Sequence, residues 1–158
     1  MGDRKETTKN LTELIKLHIN PYNDPRIYAA SEVTFDYNSS HSIRVDYMWF
    51  KPLNNSISGI EKGSFYCYEV KSCKDDFESG NGLNFIGDYN YLVMPKDLYD
   101  IIKDKIPYDV GVYVPTECDY KPLMCIKKAK RRDRSKSLTE MLLMMFRSSN
   151  RELLKMST

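Results

Sequence analysis

Two carboxylates and a lysine sit at spacings that could do phosphodiester chemistry: Asp46 in Arg44-Val45-Asp46-Tyr47, and Glu69 and Lys71 in Glu69-Val70-Lys71. Hydrolysing a phosphodiester requires a hard divalent cation to neutralise charge on the phosphate, an activated water, and a positive group near the developing charge. Magnesium takes oxygen ligands and keeps several waters, so two carboxylates and a backbone carbonyl can suffice. On an extended strand Glu69 and Lys71 leave from one face and Val70 from the other, which sets a carboxylate beside an ammonium. Asp46 could share a cation with Glu69 only if the two strands pair, so the chemistry makes a demand on the fold. Taken alone, a Glu-x-Lys triplet is more often an exposed ion pair worth ~0–1 kcal/mol.

The elements that must position these residues are legible from periodicity. Leu11, Leu14, Ile15 and Leu17 lie close to helical spacing between Glu6 and Asn20, with Thr7 or Thr8 as an N-cap, and Asn20–Pro25 forces a loop. Residues 32–37 and 42–47 alternate polar with apolar side chains around a turn at Asn38–His41, which predicts an antiparallel hairpin. After a loop over Pro52–Gly63, Ser64–Lys71 is the most strand-like stretch. A short helix capped by Ser72 and ended by Gly80-Asn81-Gly82 follows. A strand at Tyr89–Met94, a helix behind Pro95 reaching Lys105 and a strand at Val110–Val114 then imply a crossover and a parallel pair. Lys121–Lys127 suits an edge strand. The last helix runs from Ser137 with Leu138, Met141, Leu142 and Met145 in one stripe. The expected fold is α/β, a mixed central sheet flanked by helices.

An acidic residue on a strand followed by a Glu-x-Lys strand resembles the PD-(D/E)xK nuclease superfamily, over Glu32 to about Val114. Within it the chain looks most like MmcB-like DNA-repair proteins and related phage-encoded proteins. Their Arg-Val-Asp strand, Glu-Val-Lys strand, Asp-Phe segment and Tyr-containing strand ending in Pro are matched by Arg44–Asp46, Glu69–Lys71, Asp76-Phe77 and Tyr91–Pro95. Val45 stands where the superfamily's name has proline. The resemblance implies a restriction-endonuclease-like core with Asp46, Glu69 and the Val70 carbonyl holding Mg2+ or Mn2+. It implies Lys71 as catalytic and Glu32 as the upstream acid that joins the site. Glu32 equally suits a solvated strand end, and Asp75, Asp76 and Glu78 a solvated helix face.

Charge is unevenly placed. From Lys127 to Thr158 ten Lys or Arg stand against three carboxylates, a balance of +7, which leaves −5 on the first 126 residues of a chain whose net charge is +2. The expected organisation is therefore a nuclease-like domain over 1–126 and a basic segment with an amphipathic helix over 127–158. That helix packs on the domain or on a partner, with a homo-oligomer as one outcome. Lys127, Lys128, Lys130, Arg131, Arg132 and Arg134 are the candidate phosphate contacts, against the plainer reading of a solvated linker.

Other chemistries lack support. Cys67, Cys73, Cys118 and Cys125 match no short zinc spacing, and His18 and His41 lie in no ligand motif. A serine triad has no partner set, and Gly80-Asn81-Gly82 lacks the lysine of a phosphate loop. The longest apolar run, Met141–Phe146, cannot span a bilayer, and with no export signal in view the expected setting is the cytoplasm of a bacterium or phage-infected cell. The expected function is metal-dependent hydrolysis of DNA, with RNA as a further substrate reading. The competing one is a nucleic-acid-binding or assembly module on a silent nuclease scaffold.

Overall fold

Helix α1 (Gly2–Ile19) opens a computed structural model that describes residues 2–157, with side chains given for 7–157. Its Leu11, Ile15 and Ile19 recur every four residues and are buried, forming the stripe that docks on the sheet. Because the helix starts at Gly2, Thr7 and Thr8 are interior residues rather than caps, and the Thr8 carbonyl accepts from the Thr12 hydroxyl.

Strands β1 (Tyr28–Phe35), β2 (Ile43–Lys51), β3 (Ser64–Val70), β4 (Tyr89–Val93), β5 (Gly111–Pro115) and β6 (Leu123–Lys127) form one mixed sheet in chain order. β1, β2 and β3 pair antiparallel, β3, β4 and β5 parallel, and β6 returns antiparallel on β5. The parallel pairs require crossovers, supplied by α3 (Lys74–Glu78) and by α4 (Lys96–Ile102), which tightens into a 3-10 turn at Lys103–Lys105. The stretch expected to be a plain loop contains a further short helix, α2 (Ile57–Glu61), capped by Ser56. The cap of α3 is Cys73 rather than Ser72, because Ser72 donates forward to the Asp76 carboxylate instead.

The alternation expected of β1 and β2 slips by one residue midway. Ala30, Val33 and Phe35 on β1, and Val45, Met48 and Phe50 on β2, belong to one core cluster, so each strand takes one three-residue step. Glu32, inside the β1 step, has a φ of 50°, in the left-handed region that few residues with a Cβ adopt. Such irregularities re-aim side chains and gather at functional positions.

Helix α5 (Leu138–Met156) seats Met141 and Met145 in that same cluster, so this helix completes the body's own core. Ser137 caps it by accepting from the Glu140 N–H, with glutamate at the third helical position. The basic run reaches this helix as a strap. The backbone N–H groups of Lys130 and Arg132 donate to the carbonyls of Asp109 and Asp88, and Ala129 is buried. Asp88 is itself buried, accepts from the Phe65 N–H at 2.8 Å and faces Arg131 and Arg134 at 3.6 and 3.5 Å. Arg132 forks onto Asp109 with two bonds of 2.8 Å.

The bidentate Arg132–Asp109 pair is the strap's best-formed link, since charge-assisted paired bonds are the strong ones. Arg132→Ala is expected to cost about 1.5–3 kcal/mol, the range for hydrogen bonds to charged groups. Urea denaturation should show a lower midpoint at unchanged slope.

Candidate functional site

The ladder between β2 and β3 ends at Tyr47–Tyr68. One step further the Asp46 side chain takes over from the backbone, its carboxylate accepting the Val70 N–H at 2.9 Å. That bond meets the demand set by the chemistry, for it brings Asp46 against Glu69. Asp46, Glu69, Val70 and Lys71 line one polar cleft of about 570 Å³, walled by Thr8 of α1 and by residues 80–84. Val70 turns its side chain into the cluster under α1, as a strand between two site residues must.

The two carboxyls lie close enough to act on each other directly. Burial, and next the charge of Asp46, push the Glu69 carboxyl up to about 10, while Lys71 pulls it the other way. Glu69 therefore holds its proton near neutral pH. A divalent cation would replace that proton. The donor set contains no imidazole or thiolate, which suits magnesium or manganese rather than zinc. Among the described residues no three His, Cys, Asp or Glu side chains are grouped to hold an ion, so further ligands would come from the backbone or water.

Lys71 is buried to 2% exposure, and its ammonium is enclosed by the chain that follows it. It donates to the Asn81 carbonyl and, at 3.3 Å, to the Asp76 carbonyl, with an Asp76 carboxylate oxygen at 3.8 Å. The other Asp76 oxygen accepts from the Ser72 N–H and hydroxyl at 3.1 and 3.3 Å. Asp76 is thus part of the site, where sequence reasoning favoured a solvated face. The signal was Phe77, the one apolar residue of Lys74–Glu78: burying it carries its neighbour against the sheet. Gly82, with a φ of 79°, covers Glu69, and a Cβ there would lie 2.0 Å from the carboxyl oxygen. No other residue fits that backbone and that approach.

The remaining candidates fall elsewhere. Glu32 stays outside the cleft lining, half exposed, and meets it only through Arg44, whose guanidinium lies 3.9 Å from Glu32 and 3.8 Å from Asp46. The strap is at the other end of the parallel strands. Arg131 and Arg134 face Asp88, just before Tyr89 at the start of β4, whereas Glu69 and Val70 lie beside Leu92 and Val93 at its end. Four residues of rise make this about 13 Å along the sheet. Arg132 and Arg134 hold the body together, and the Lys127 ammonium donates to the Pro107 carbonyl. Lys128, Lys130 and Arg131 remain exposed. His18 packs on Tyr113, His41 is exposed on the hairpin turn, and the four cysteines are free thiols. No helix among the described residues is long and apolar enough to cross a membrane.

No family profile matches this chain, and no curated protein matches it in sequence. Among solved structures it is similar to the SPO1766 protein of unknown function from Silicibacter pomeroyi, at a TM-score of 0.62 over 94% of this chain and 89% of that one. Identity between the two is 14%, so the likeness is one of fold.

The raised Glu69 carboxyl gives the metal-free protein a pH signature. Between the ordinary carboxyl value of 4.5 and about 10, the folded protein holds a proton on Glu69 that the unfolded chain has released. Stability must therefore fall as pH rises through that window. Glu69→Gln should flatten the slope, leaving the variant more heat-resistant than the parent at pH 9 and closer to it at pH 5, as read by melting curves in chelator.

Proposed function

We propose that this protein is a metal-dependent nuclease of the PD-(D/E)xK type that hydrolyses phosphodiester bonds of DNA. One observation carries the reading: Asp46, whose carboxylate accepts the Val70 N–H, and Glu69, twenty-three residues apart in the chain, meet in a polar cleft that also holds Lys71. Two carboxyls held this close cost stability without a cation, an arrangement typical of functional sites. Asp46 and Glu69 would hold magnesium or manganese, which supplies positive charge to a phosphoryl oxygen and acidifies water. Arg44, 60% exposed at the rim, is placed to meet a phosphate entering the cleft. Lys71 contributes a fixed positive charge behind the pair, held by Asp76 and Asn81. The fold likeness to a protein of unknown function adds no activity to this reading.

A second reading is favoured by the same lysine. Its ammonium is enclosed by the segment that follows it, as a structural cross-link would be, which suits a nuclease scaffold that binds nucleic acid or assembles with partners without cutting.

Two measurements separate them. Calorimetry with manganese should detect a site whose affinity rises with pH as the Glu69 proton is displaced, and which Asp46→Ala and Glu69→Ala remove. Labelled single-stranded, double-stranded and branched DNA, with RNA in parallel, should be cut in magnesium or manganese by the parent and at least 100-fold more slowly by either variant. Absence of both metal binding and cutting would leave only the scaffold reading standing.

A further inference from the structure

The basic run that looked suited to phosphates lies away from the cleft, which raises the question of which cations lie near it. Helix α5 carries Arg147 and Arg151 one turn apart, beside β1. They line a separate pocket of about 250 Å³ with Thr34, Tyr37, Met144 and Ser148. Thr34 is the ladder partner of Arg44, and Arg44 lines the carboxylate cleft, so one lining residue of the pocket and one of the cleft share a rung of the β1–β2 ladder.

We propose that Arg147 and Arg151, with Thr34, form a phosphate-binding subsite where the backbone of a nucleic acid seated in the cleft continues over the edge of the sheet. Arg151 is anchored for this. One terminal nitrogen donates to the carbonyls of Ser31 and Glu32 at 3.4 and 3.0 Å and lies 3.2 Å from the Ser148 hydroxyl. These three partners are neutral, and one carboxylate, that of Glu152, pairs with the same guanidinium. Its Nε is buried with no hydrogen-bond partner, and the nearest carboxylate oxygen, on Glu152, stands 3.6 Å away. A buried donor without a hydrogen-bond partner is costly in a folded protein, so the Arg151 side chain is held here at a cost.

Arg147 is exposed and lies 4.6 Å over the Tyr37 ring. A guanidinium stacked on a ring is held flat while its N–H edge can address an oxygen in its plane. Two guanidiniums and a threonine lining one pocket offer donors to the tetrahedral oxygens of a phosphate, and contacts of this kind set the register of a bound strand. The unusual φ of Glu32 belongs to the same construction, because that residue's carbonyl is one of the anchors of Arg151. The subsite's role as a substrate contact rests on the nuclease reading of the cleft; the anion site itself does not.

The test uses the whole protein in calcium, without magnesium or manganese, and a fluorescein-labelled single-stranded oligonucleotide followed by anisotropy. Arg147→Ala, at an exposed position, should weaken binding about 5-fold and lower the salt slope by about one. The triple variant Lys128→Ala, Lys130→Ala, Arg131→Ala should weaken it less. The reverse order, or an Arg147→Ala protein that binds like the parent, overturns the substrate role. In parallel, inorganic phosphate is titrated into isotope-labelled protein. The Arg147 and Arg151 side-chain resonances should shift, and the Arg151 shift should be lost in Arg147→Ala. No shift overturns the anion site. A phosphate shift in a protein that neither binds nor cuts the oligonucleotide keeps the anion site, overturns its substrate role and counts against the nuclease reading.

Discussion

The bond from the Val70 N–H to the Asp46 carboxylate is the interaction on which the rest of the cleft depends. Where the β2–β3 ladder stops, two strands would ordinarily part and their backbone groups turn to water. Here a side chain replaces the missing backbone acceptor, so the strands open at this level without losing each other. Asp46 is thereby held against Glu69 at a point where a regular ladder would have placed two backbones. The stepped alternation of β1 and β2 and the left-handed Glu32 lie at the same level.

Around this point the protein accumulates local costs. A carboxyl is kept protonated by burial and a like charge, a lysine is enclosed, and a glycine is forced into the left-handed region to let the chain pass over Glu69. None of these stabilises a fold. They are offset elsewhere, by the cluster in which Met141 and Met145 of α5 close over β1 to β3 and by the strap that delivers α5. Asp88 is central to that second part, since one buried carboxylate faces two arginines and takes a backbone N–H of β3. The basic run thus works largely as an internal tie, and the cations that line the cleft are Arg44 and Lys71.

How much was legible beforehand follows from the range of the forces involved. The six strands, α1, α4 and α5 were visible because apolar periodicity is a local property, and so was the mixed, helix-flanked sheet, because strand–helix–strand order implies parallel pairing. Helix α2 was missed because five residues with a serine cap scarcely depart from loop composition. Ser72 was misplaced as a cap because a serine before a polar run satisfies the pattern, while its real acceptor, the Asp76 side chain, is set by where Phe77 is buried.

The sequence by itself determined that a carboxylate, a Glu-x-Lys strand and a C-terminal concentration of positive charge exist in this chain, and that Glu69 and Lys71 share a side while Val70 turns away. Residue type and strand geometry are enough for that. Only the tertiary structure decided that Asp46 meets Glu69, that Asp76 and Asn81 enclose Lys71, that Glu32 stands off behind Arg44, and that the strap runs along the far end of the sheet. Those outcomes depend on contacts between residues far apart in the chain or on where one buried ring draws its neighbours, and no local pattern encodes either.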